Sequence, residues 1–187
     1  MSEETQNVAP QGTDFGYFGG GRSNPSTFHT TVDRIDYSSD TGTTPTKGPL
    51  SDARGSLAAT GNADFGYFGG GSAPGQRSTV ERIDYSNDTA TAAVKGPLTI
   101  SRNQHGGTGN ANFGYFGGGG TPSTVSTVDR IDYSNDTATA VAKGPLSLAK
   151  RFLAATGNAS FGYFGGGSPG GGRSTVDRID YSNDTAT

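Results

Sequence analysis

The apolar residues of this chain are concentrated in two short segments that recur along its length. In V-[DE]-R-I-D-Y, apolar and charged residues alternate with the two-residue period of a strand, and no segment sustains the period of an amphipathic helix. The other segment, F-G-Y-F-G-G-G, begins at Phe15, Phe65, Phe113 and Phe161, at spacings of 50, 48 and 48 residues. The pattern predicts an all-β chain of repeats, since periods of about 40–50 residues are typical of propellers, solenoids and arrays.

The unit from Lys143 to Thr187 indicates where single strands lie, because turn residues (G-P, G-N, G-G-G, S-N-D) interrupt it about every ten residues. We predict three strands within it, at Arg151–Thr156, Phe161–Phe164 and Thr175–Tyr181. The fourth is clearest in the preceding unit, at Thr137–Lys143. Tight turns join these strands, so each unit should be a four-stranded antiparallel sheet.

A sheet of this size cannot bury its faces alone, so the units are expected to pack face to face. Aromatic side chains would fill the space between sheets, and the glycines that follow would let backbones approach closely. The predicted structural signature is Phe15, Tyr17, Phe18, Gly19, Gly20, Phe65, Tyr67, Phe68, Gly69, Gly70, Phe113, Tyr115, Phe116, Gly117, Gly118, Phe161, Tyr163, Phe164, Gly165 and Gly166.

The order PLSLAKRFLAATGNASFGYFGGG…STVDRIDYSNDTAT resembles a kelch repeat: a basic residue after Pro-Leu, an apolar strand, a G-N turn, an aromatic strand with a glycine doublet, then V-D-R-I-D. The resemblance extends over about residues 7–187. It implies a kelch-like β-propeller of about four four-stranded antiparallel blades, incomplete or open. The repeats are also similar to kelch-like repeats in marine phage structural proteins. We assign blades to 14–62, 63–110, 111–158 and 159–187, after a polar, partly disordered segment, 1–13.

Two hallmark aromatic positions of the kelch pattern differ here. Isoleucine replaces the third-strand tyrosine, and a small residue replaces the tryptophan that opens the fourth strand. We expect the F-G-Y-F strand and the tyrosine after R-I-D to fill that volume. The positions concerned are Ile35, Ile83, Ile131 and Ile179 for the first, and Gly42, Ala90, Ala138 and Ala186 for the second.

The ends of the chain bear on closure of the propeller. The chain is expected to open at the second strand of a blade and to stop at Thr187, where the fourth strand of the last blade should begin. About half a repeat would then be absent. Two alternatives stay open: a ring of four blades with imperfect closure, or a piece of a longer propeller.

Composition narrows the class of protein. Leu, Ile, Val and Phe number 6, 5, 8 and 10, a level typical of disorder when net charge is high, but the net charge is only −3. An ordered, shallow core is therefore expected. The 14 basic residues are scattered among 17 acidic ones, which argues against nucleic acid as a partner. Without an apolar run of about 20 residues or a signal-peptide pattern, we expect a soluble protein, cytoplasmic or virion-associated, and no membrane partner.

The candidate chemical motifs favour structure over catalysis. The glycines precede no helix and no Lys-Ser/Thr, so a phosphate loop is not expected. The Asp-Tyr-Ser-Asn-Asp segments lack the glycine and glutamate of a calcium loop, and turns in which Asp caps its own backbone are the preferred interpretation. Cysteine is absent, and His29 and His105, the only histidines, are too few for a triad or a histidine metal site. We therefore predict no enzyme, cofactor or metal. His105 lies where kelch repeats often carry a histidine in the first strand, so the resemblance implies a structural role for it.

Charge alternates along V-[DE]-R-I-D, and we interpret this as a solvated strand face with ion pairs between neighbouring strands. Sequence varies mainly in two places, the loop after the glycines and the stretch after Pro-Leu. In a propeller, loops of one class lie on one face, so these segments would form a composite recognition surface, although drift of unconstrained loops explains the variation nearly as well. The candidate binding residues are Arg22, Ser23, Asn24, Phe28 and His29, with Arg77 and Arg173 at matching places.

The leading hypothesis is a non-catalytic propeller scaffold that recognises a protein or glycan through these loops, in a viral or extracellular assembly. A second is a fragment of a larger propeller enzyme, such as a galactose-oxidase-like protein. A third is a structural spacer that associates with itself, because exposed strand edges at an unclosed ring invite pairing with another chain.

Overall fold

The structure, a computed structural model, describes residues 8–12, 14–168 and 171–186. In this part of the chain the only helices are single 3-10 turns at Tyr85–Asn87 and Tyr133–Asn135. No helix among the described residues has the length and apolar character needed to span a bilayer. The predicted all-β class is confirmed.

The strands form a series of small antiparallel sheets, which we name A to D in chain order. Sheet A has the strand order β1-β2-β5, and Asp33 adds a single bridge to Thr46. A two-stranded hairpin, β3-β4, connects its second and third strands. The bounds are β1 (Val8–Gly12), β2 (Phe15–Gly19), β3 (Arg22–Asn24), β4 (Thr27–Phe28) and β5 (Val32–Asp36).

Sheets B, C and D each have four strands in simple sequential order, and sheet C also carries a hairpin between its second and third strands. Sheet B consists of β6 (Ala58–Gly61), β7 (Phe65–Gly69), β8 (Val80–Asp84) and β9 (Ala93–Lys95). Sheet C consists of β10 (Gly106–Gly109), β11 (Phe113–Gly117), β14 (Val128–Asp132) and β15 (Val141–Lys143), with the hairpin β12 (Gly120–Thr121) and β13 (Ser123–Thr124). Sheet D consists of β16 (Arg151–Gly157), β17 (Phe161–Ser168), β18 (Val176–Asp180) and β19 (Thr185–Ala186).

The prediction of four antiparallel strands per unit is confirmed for these three sheets. The fourth strand is shorter than predicted, Val141–Lys143 instead of Thr137–Lys143, because the polar turn extends into its first residues. The sheets begin at residues 58, 106 and 151, one strand before each F-G-Y-F segment, so the assigned unit bounds divide the repeat at a different strand.

The expectation that the chain opens at the second strand of a unit is wrong, because Val8–Gly12 pairs with β2 as the first strand of sheet A. The fourth strand of sheet D begins close to the predicted place, at Thr185–Ala186, and pairs with β18. The sequence did not indicate β1, because a ladder of backbone hydrogen bonds requires no signature side chain. Of the segment predicted to be partly disordered, residues 1–7 and 13 lie outside the described residues.

Every F-G-Y-F strand pairs in the same register with the V-[DE]-R-I-D strand of its own sheet, for example Tyr17 opposite Arg34 and Phe18 opposite Asp33. Paired residues lie on the same side of a sheet. Tyr17, Val32 and Arg34 therefore share one side, the forward face, which in sheets A to C packs on the next sheet. Phe18 and Asp33 lie on the opposite side, the rear face, which in sheets B to D packs on the preceding sheet.

The sheets stack in chain order, with one hydrophobic cluster between each successive pair. The first strands β1, β6, β10 and β16 also contact one another in that order. Between A and B, the Phe68 ring lies against Gly19, where an added Cβ would come within 2.7 Å of it. The same packing places Phe116 against Gly69 and Phe164 against Gly117, so glycine is required for this approach.

The tyrosine after R-I-D fills the interior as expected. Tyr85 of sheet B stacks on Tyr17 of sheet A with ring centroids 4.8 Å apart. Tyr133 on Tyr67 and Tyr181 on Tyr115 repeat this stack at 4.7 Å.

A single aspartate in each polar turn joins one sheet to the next. Asp88 of sheet B accepts hydrogen bonds from the Tyr17 hydroxyl at 3.0 Å and from Arg34 at 2.9 Å, both in sheet A. The ammonium of Lys47 lies 3.3 Å from the same carboxylate. Burial and this carboxylate raise the pKa of Tyr17 to about 12, so its hydroxyl stays a donor. Asp136 and Asp184 bind the equivalent Tyr, Arg and Lys of sheets B and C.

A second ion pair, fully buried, fixes the connector that enters each sheet. Arg54 in the connector from A to B lies 2.6 Å from Glu81 of sheet B, with both side chains 0% exposed. The Arg54 guanidinium also donates to the carbonyl of Phe68 at 3.2 Å. Arg102–Asp129 at 2.8 Å and Lys150–Asp177 at 2.7 Å occupy the same place in sheets C and D.

These pairs correct the interpretation of V-[DE]-R-I-D as a solvated face with ion pairs between neighbouring strands. Its first acidic residue is buried in sheets B to D, and its arginine pairs with the next sheet in A to C. In sheets B and C, which have a neighbour on each side, the first acidic residue and the arginine are therefore each neutralised by a residue far away in sequence.

Replacing Glu81 with glutamine should lower the free energy of unfolding by about 3–5 kcal/mol, because the Arg54 guanidinium would stay buried without a countercharge. Asp33, the same position in sheet A, is the matched control: among the described residues its carboxylate accepts a hydrogen bond only from Thr46, at the exposed surface. Asp33→Asn should cost less than about 0.5 kcal/mol. Urea unfolding followed by circular dichroism measures both values, and equal losses would contradict the role assigned to the buried pair.

Candidate interaction edge

The strand order separates the connections into two groups. Since the sheets are antiparallel, the segment between second and third strands and the connector to the next sheet lie on the same edge. We call this the variable edge; it carries both segments in which the repeats differ. The G-N turns and the Asp-Tyr-Ser-Asn-Asp turns lie on the opposite edge, which we call the turn edge.

Backbone hydrogen bonds hold the variable edge together. Between sheets A and B, Gly21 N donates to Arg54 O at 2.9 Å, and Arg54 N donates to His29 O at 3.2 Å. Gly55 and Ser72 exchange two further bonds of 3.1 and 2.9 Å. Equivalent bonds join the B–C segments through Arg102 and the C–D segments through Lys150. Because the backbone makes these contacts, the exposed side chains are free to differ.

Most of the predicted binding residues lie together on the β3-β4 hairpin of sheet A. Arg22, Ser23 and Asn24 are exposed, while Phe28 and His29 are half-buried. The Asn24 side-chain oxygen accepts a hydrogen bond from Ser26 N at 2.9 Å and so caps the hairpin turn. The tip of this hairpin therefore has a fixed shape, with the Arg22 side chain beside it.

Arg77 and Arg173 occupy the place of His29 in sheets B and D. In each case the backbone N donates to the third glycine of the G-G-G segment, at 3.1 Å for His29, 2.8 Å for Arg77 and 3.0 Å for Arg173. The Arg77 side chain binds within the edge itself, at 3.2 Å from Asp52 and 2.5 Å from the carbonyl of Ala73. Arg173 is exposed. The structure thus leaves Arg173 presented outward, whereas Arg77 is partly engaged.

The sequence pattern did not indicate a row of three residues on this edge. Ser56 and Gln104 lie two residues before β6 and β10, and Phe152 is the second residue of β16. Their φ values are 56°, 58° and 58°. Gln104 N donates to Ser56 O at 2.9 Å, and Phe152 N donates to Gln104 O at 2.8 Å. We call these residues the axial row. The left-handed conformation costs about 1–2 kcal/mol for a residue with a Cβ, and such strain is concentrated at functional sites.

The axial row presents a different side chain from each connector: a hydroxyl, an amide and an aromatic ring. Phe152 is 38% exposed, and the Arg151 guanidinium lies 5.2 Å from the centre of its ring. The Gln104 side-chain oxygen is buried and has no hydrogen-bond partner among the described residues. The row could therefore bind a ligand by stacking on the exposed Phe152 ring. No sequence pattern indicated the axial row, because Ser, Gln and Phe do not favour positive φ.

On the turn edge the repeats are nearly identical, for a structural reason. Asp36 accepts hydrogen bonds from Ser38 N at 2.9 Å and from its hydroxyl at 2.6 Å, which lowers the pKa of Asp36. Asp84, Asp132 and Asp180 form the same turn, so the predicted backbone-capping turns are confirmed. A shallow cavity of about 290 Å³ lies among the three G-N turns. Among the described residues, no three His, Asp or Glu side chains lie close enough to hold a metal ion.

No family model and no curated protein sequence matches this chain. Among solved structures, one titled "Structure of YjhT" has a similar fold, with a TM-score of 0.75 and 12% sequence identity. The similarity covers 92% of this chain and 65% of that one. At this identity the likeness concerns the fold alone.

The two histidines have different environments. His29 is half-buried on the hairpin. His105 is 2% exposed, and its ring meets Phe116 edge-on with centroids 5.7 Å apart. His105 occupies the position that Leu57 and Leu153 occupy in the other repeats. Burial, with the nearby charge of Arg102, lowers the pKa of His105 to about 3, so the ring is neutral at neutral pH.

His105 should make the protein sensitive to acid. The pKa of His105 is lower in the folded than in the unfolded protein. Its contribution to the free energy of unfolding is therefore fully present above about pH 6.5 and falls by about 1.4 kcal/mol per pH unit below that value. His105→Leu, which copies the other connectors, should remove this dependence, so that its stability advantage over the parent grows between pH 6.5 and 4. Urea unfolding at several pH values measures the difference.

Leu153→His is the reciprocal control, because it places the same ring at the equivalent buried position. It should make the free energy of unfolding fall further as the pH is lowered, as His105 does in the parent. Parallel stability curves for the parent and His105→Leu would show that His105 is not held neutral.

Proposed function

We propose that this protein is a non-catalytic, kelch-like β-propeller module, a scaffold that binds a protein or glycan partner through its variable edge in a viral or extracellular assembly. The observation that carries the proposal is the axial row. Ser56, Gln104 and Phe152 share one strained backbone conformation and one chain of hydrogen bonds, yet present three different chemistries. Uniform positions with varied side chains suit a composite recognition surface.

The arrangement of the sheets supports the propeller part of the proposal. Propeller blades are small antiparallel sheets, typically of four strands, placed around a central channel. Here the sheets stack in chain order, and their first strands lie next to one another. The axial row lies at the start of these strands, so in a propeller it would surround one mouth of the channel.

The charged groups support recognition rather than catalysis. Glu81 and Asp129 are neutralised by buried arginines, and Asp88 is engaged by three side chains of sheet A. His105 is sealed in the core beside Phe116. On the variable edge, by contrast, Arg22 and Arg173 are exposed.

Gln104→Gly and Phe152→Gly should separate binding from folding. Glycine adopts the left-handed conformation without strain, so each variant should keep its stability or gain up to about 1 kcal/mol. A ligand selected with the full chain, from a printed glycan array or a displayed peptide library, should bind each variant at least about tenfold more weakly, because the side chain that contacts it is missing. Calorimetry or surface plasmon resonance measures the affinity.

Asn112→Gly is the matched control, since it removes an exposed side chain from the turn edge. It should leave the affinity unchanged. A ligand that binds all three variants as well as it binds the parent would place recognition elsewhere and overturn the assignment of the variable edge.

A further inference from the structure

The forward face of sheet D is uncovered, although the same face is buried in the other sheets. Val176 is 63% exposed, whereas its equivalents Val32, Val80 and Val128 are exposed by at most 1%. Tyr163 is half-buried, whereas the corresponding tyrosines of sheets A to C are fully buried. This face has the composition of an interface between sheets and no sheet against it among the described residues.

The arginine on this face also makes no ion pair among the described residues. Arg34, Arg82 and Arg130 each bind an aspartate of the following sheet, at 2.9, 2.8 and 2.6 Å. Arg178 is the equivalent residue of sheet D. It is exposed, lies over the ring of Phe161 at 4.7 Å, and has no ion pair among the described residues.

The rear face of sheet A carries the missing half of the same interface. Phe18 is 37% exposed, whereas Phe68, Phe116 and Phe164 are 0% exposed. Tyr37, which corresponds to the stacked tyrosines of sheets B to D, is 42% exposed. Asp40 corresponds to Asp88, Asp136 and Asp184, is exposed, and has no ion pair among the described residues.

We propose that these two faces bind each other between copies of this chain, with the rear face of sheet A in one copy docked on the forward face of sheet D in the next. The contacts copy the three internal interfaces. Tyr37 stacks on Tyr163, and Asp40 accepts hydrogen bonds from Arg178 and from the Tyr163 hydroxyl. Phe18 lies over Gly165, where an added Cβ would meet only Val176, at 3.5 Å, so space for the ring is present.

Such contacts are heterologous, because the two copies contribute different faces. Each added copy leaves one face of each kind free. Association therefore continues until the rotation between copies closes a ring, or gives an open filament if it does not close.

The first test is the mass distribution of the full chain by analytical ultracentrifugation over a range of concentrations. We expect species larger than the monomer that grow with concentration. Arg178→Glu reverses the charge of one face and Asp40→Lys reverses that of the other, and each variant alone should be monomeric. Both side chains are exposed in the single chain, so the thermal unfolding of the dilute variants should match that of the parent.

Mixing two variants makes the test specific. Gly165→Val keeps an intact sheet A face and Asp40→Lys keeps an intact sheet D face, so an equal mixture should form dimers and nothing larger, because the two altered faces repel each other and do not fit together. The double variant Asp40→Arg/Arg178→Asp exchanges the charges across the same contact and should recover assembly. Gly165→Val, which fills the space for Phe18, should block assembly while sheet D remains folded.

Arg22→Glu is the control for net charge, because it makes the same charge change on the variable edge and should leave assembly intact. A parent chain that stays monomeric at all concentrations would overturn the proposal. This holds if the two end faces of one chain close on each other, and also if they bind further repeats of a longer chain. Assembly that persists in Arg178→Glu, or a mixture without dimers, would also overturn it.

Discussion

The contact between one aspartate and the tyrosine and arginine of the preceding sheet is the interaction on which this structure depends. In sheet B, Asp88 binds Tyr17, Arg34 and Lys47 from sheet A while Tyr85, three residues earlier, stacks on Tyr17. A four-stranded sheet cannot bury enough apolar surface by itself. The contact joins each sheet to the next in a fixed orientation, and three copies of it create three equivalent layers of core.

Because this contact and the buried pair Arg54–Glu81 use framework residues, the rest of each unit is free to change. The connectors are held by backbone hydrogen bonds, which do not depend on side-chain identity. The framework also maintains Gln104 and Phe152 in a backbone conformation that neither residue prefers. The strained backbone of the axial row is therefore tolerated because the contacts between the sheets stabilise the fold.

The same contact has a consequence at the ends of the stack. Internal sheets satisfy Tyr, Arg and Asp on both sides, but sheet D retains Arg178 and sheet A retains Asp40 without a charged partner among the described residues. Repetition therefore produces two complementary faces whenever the stack is not closed on itself. The recognition proposed for the variable edge and the association proposed for the end faces use different surfaces, so one chain can support both.

The sequence alone was enough to predict the repeat, the strand class and the capped turns, because period-two patterns and Asp-x-Ser turns depend on residues close together in the chain. It could not reveal β1, whose pairing uses only backbone groups, or the burial of Glu81, whose partner Arg54 lies 27 positions away. The hairpin at Arg22 was found from its variation, but the axial row was not, since its conformation comes from bonds between connectors. Which charges are buried, which backbone is strained and which faces stay open were decided only when the sheets packed together.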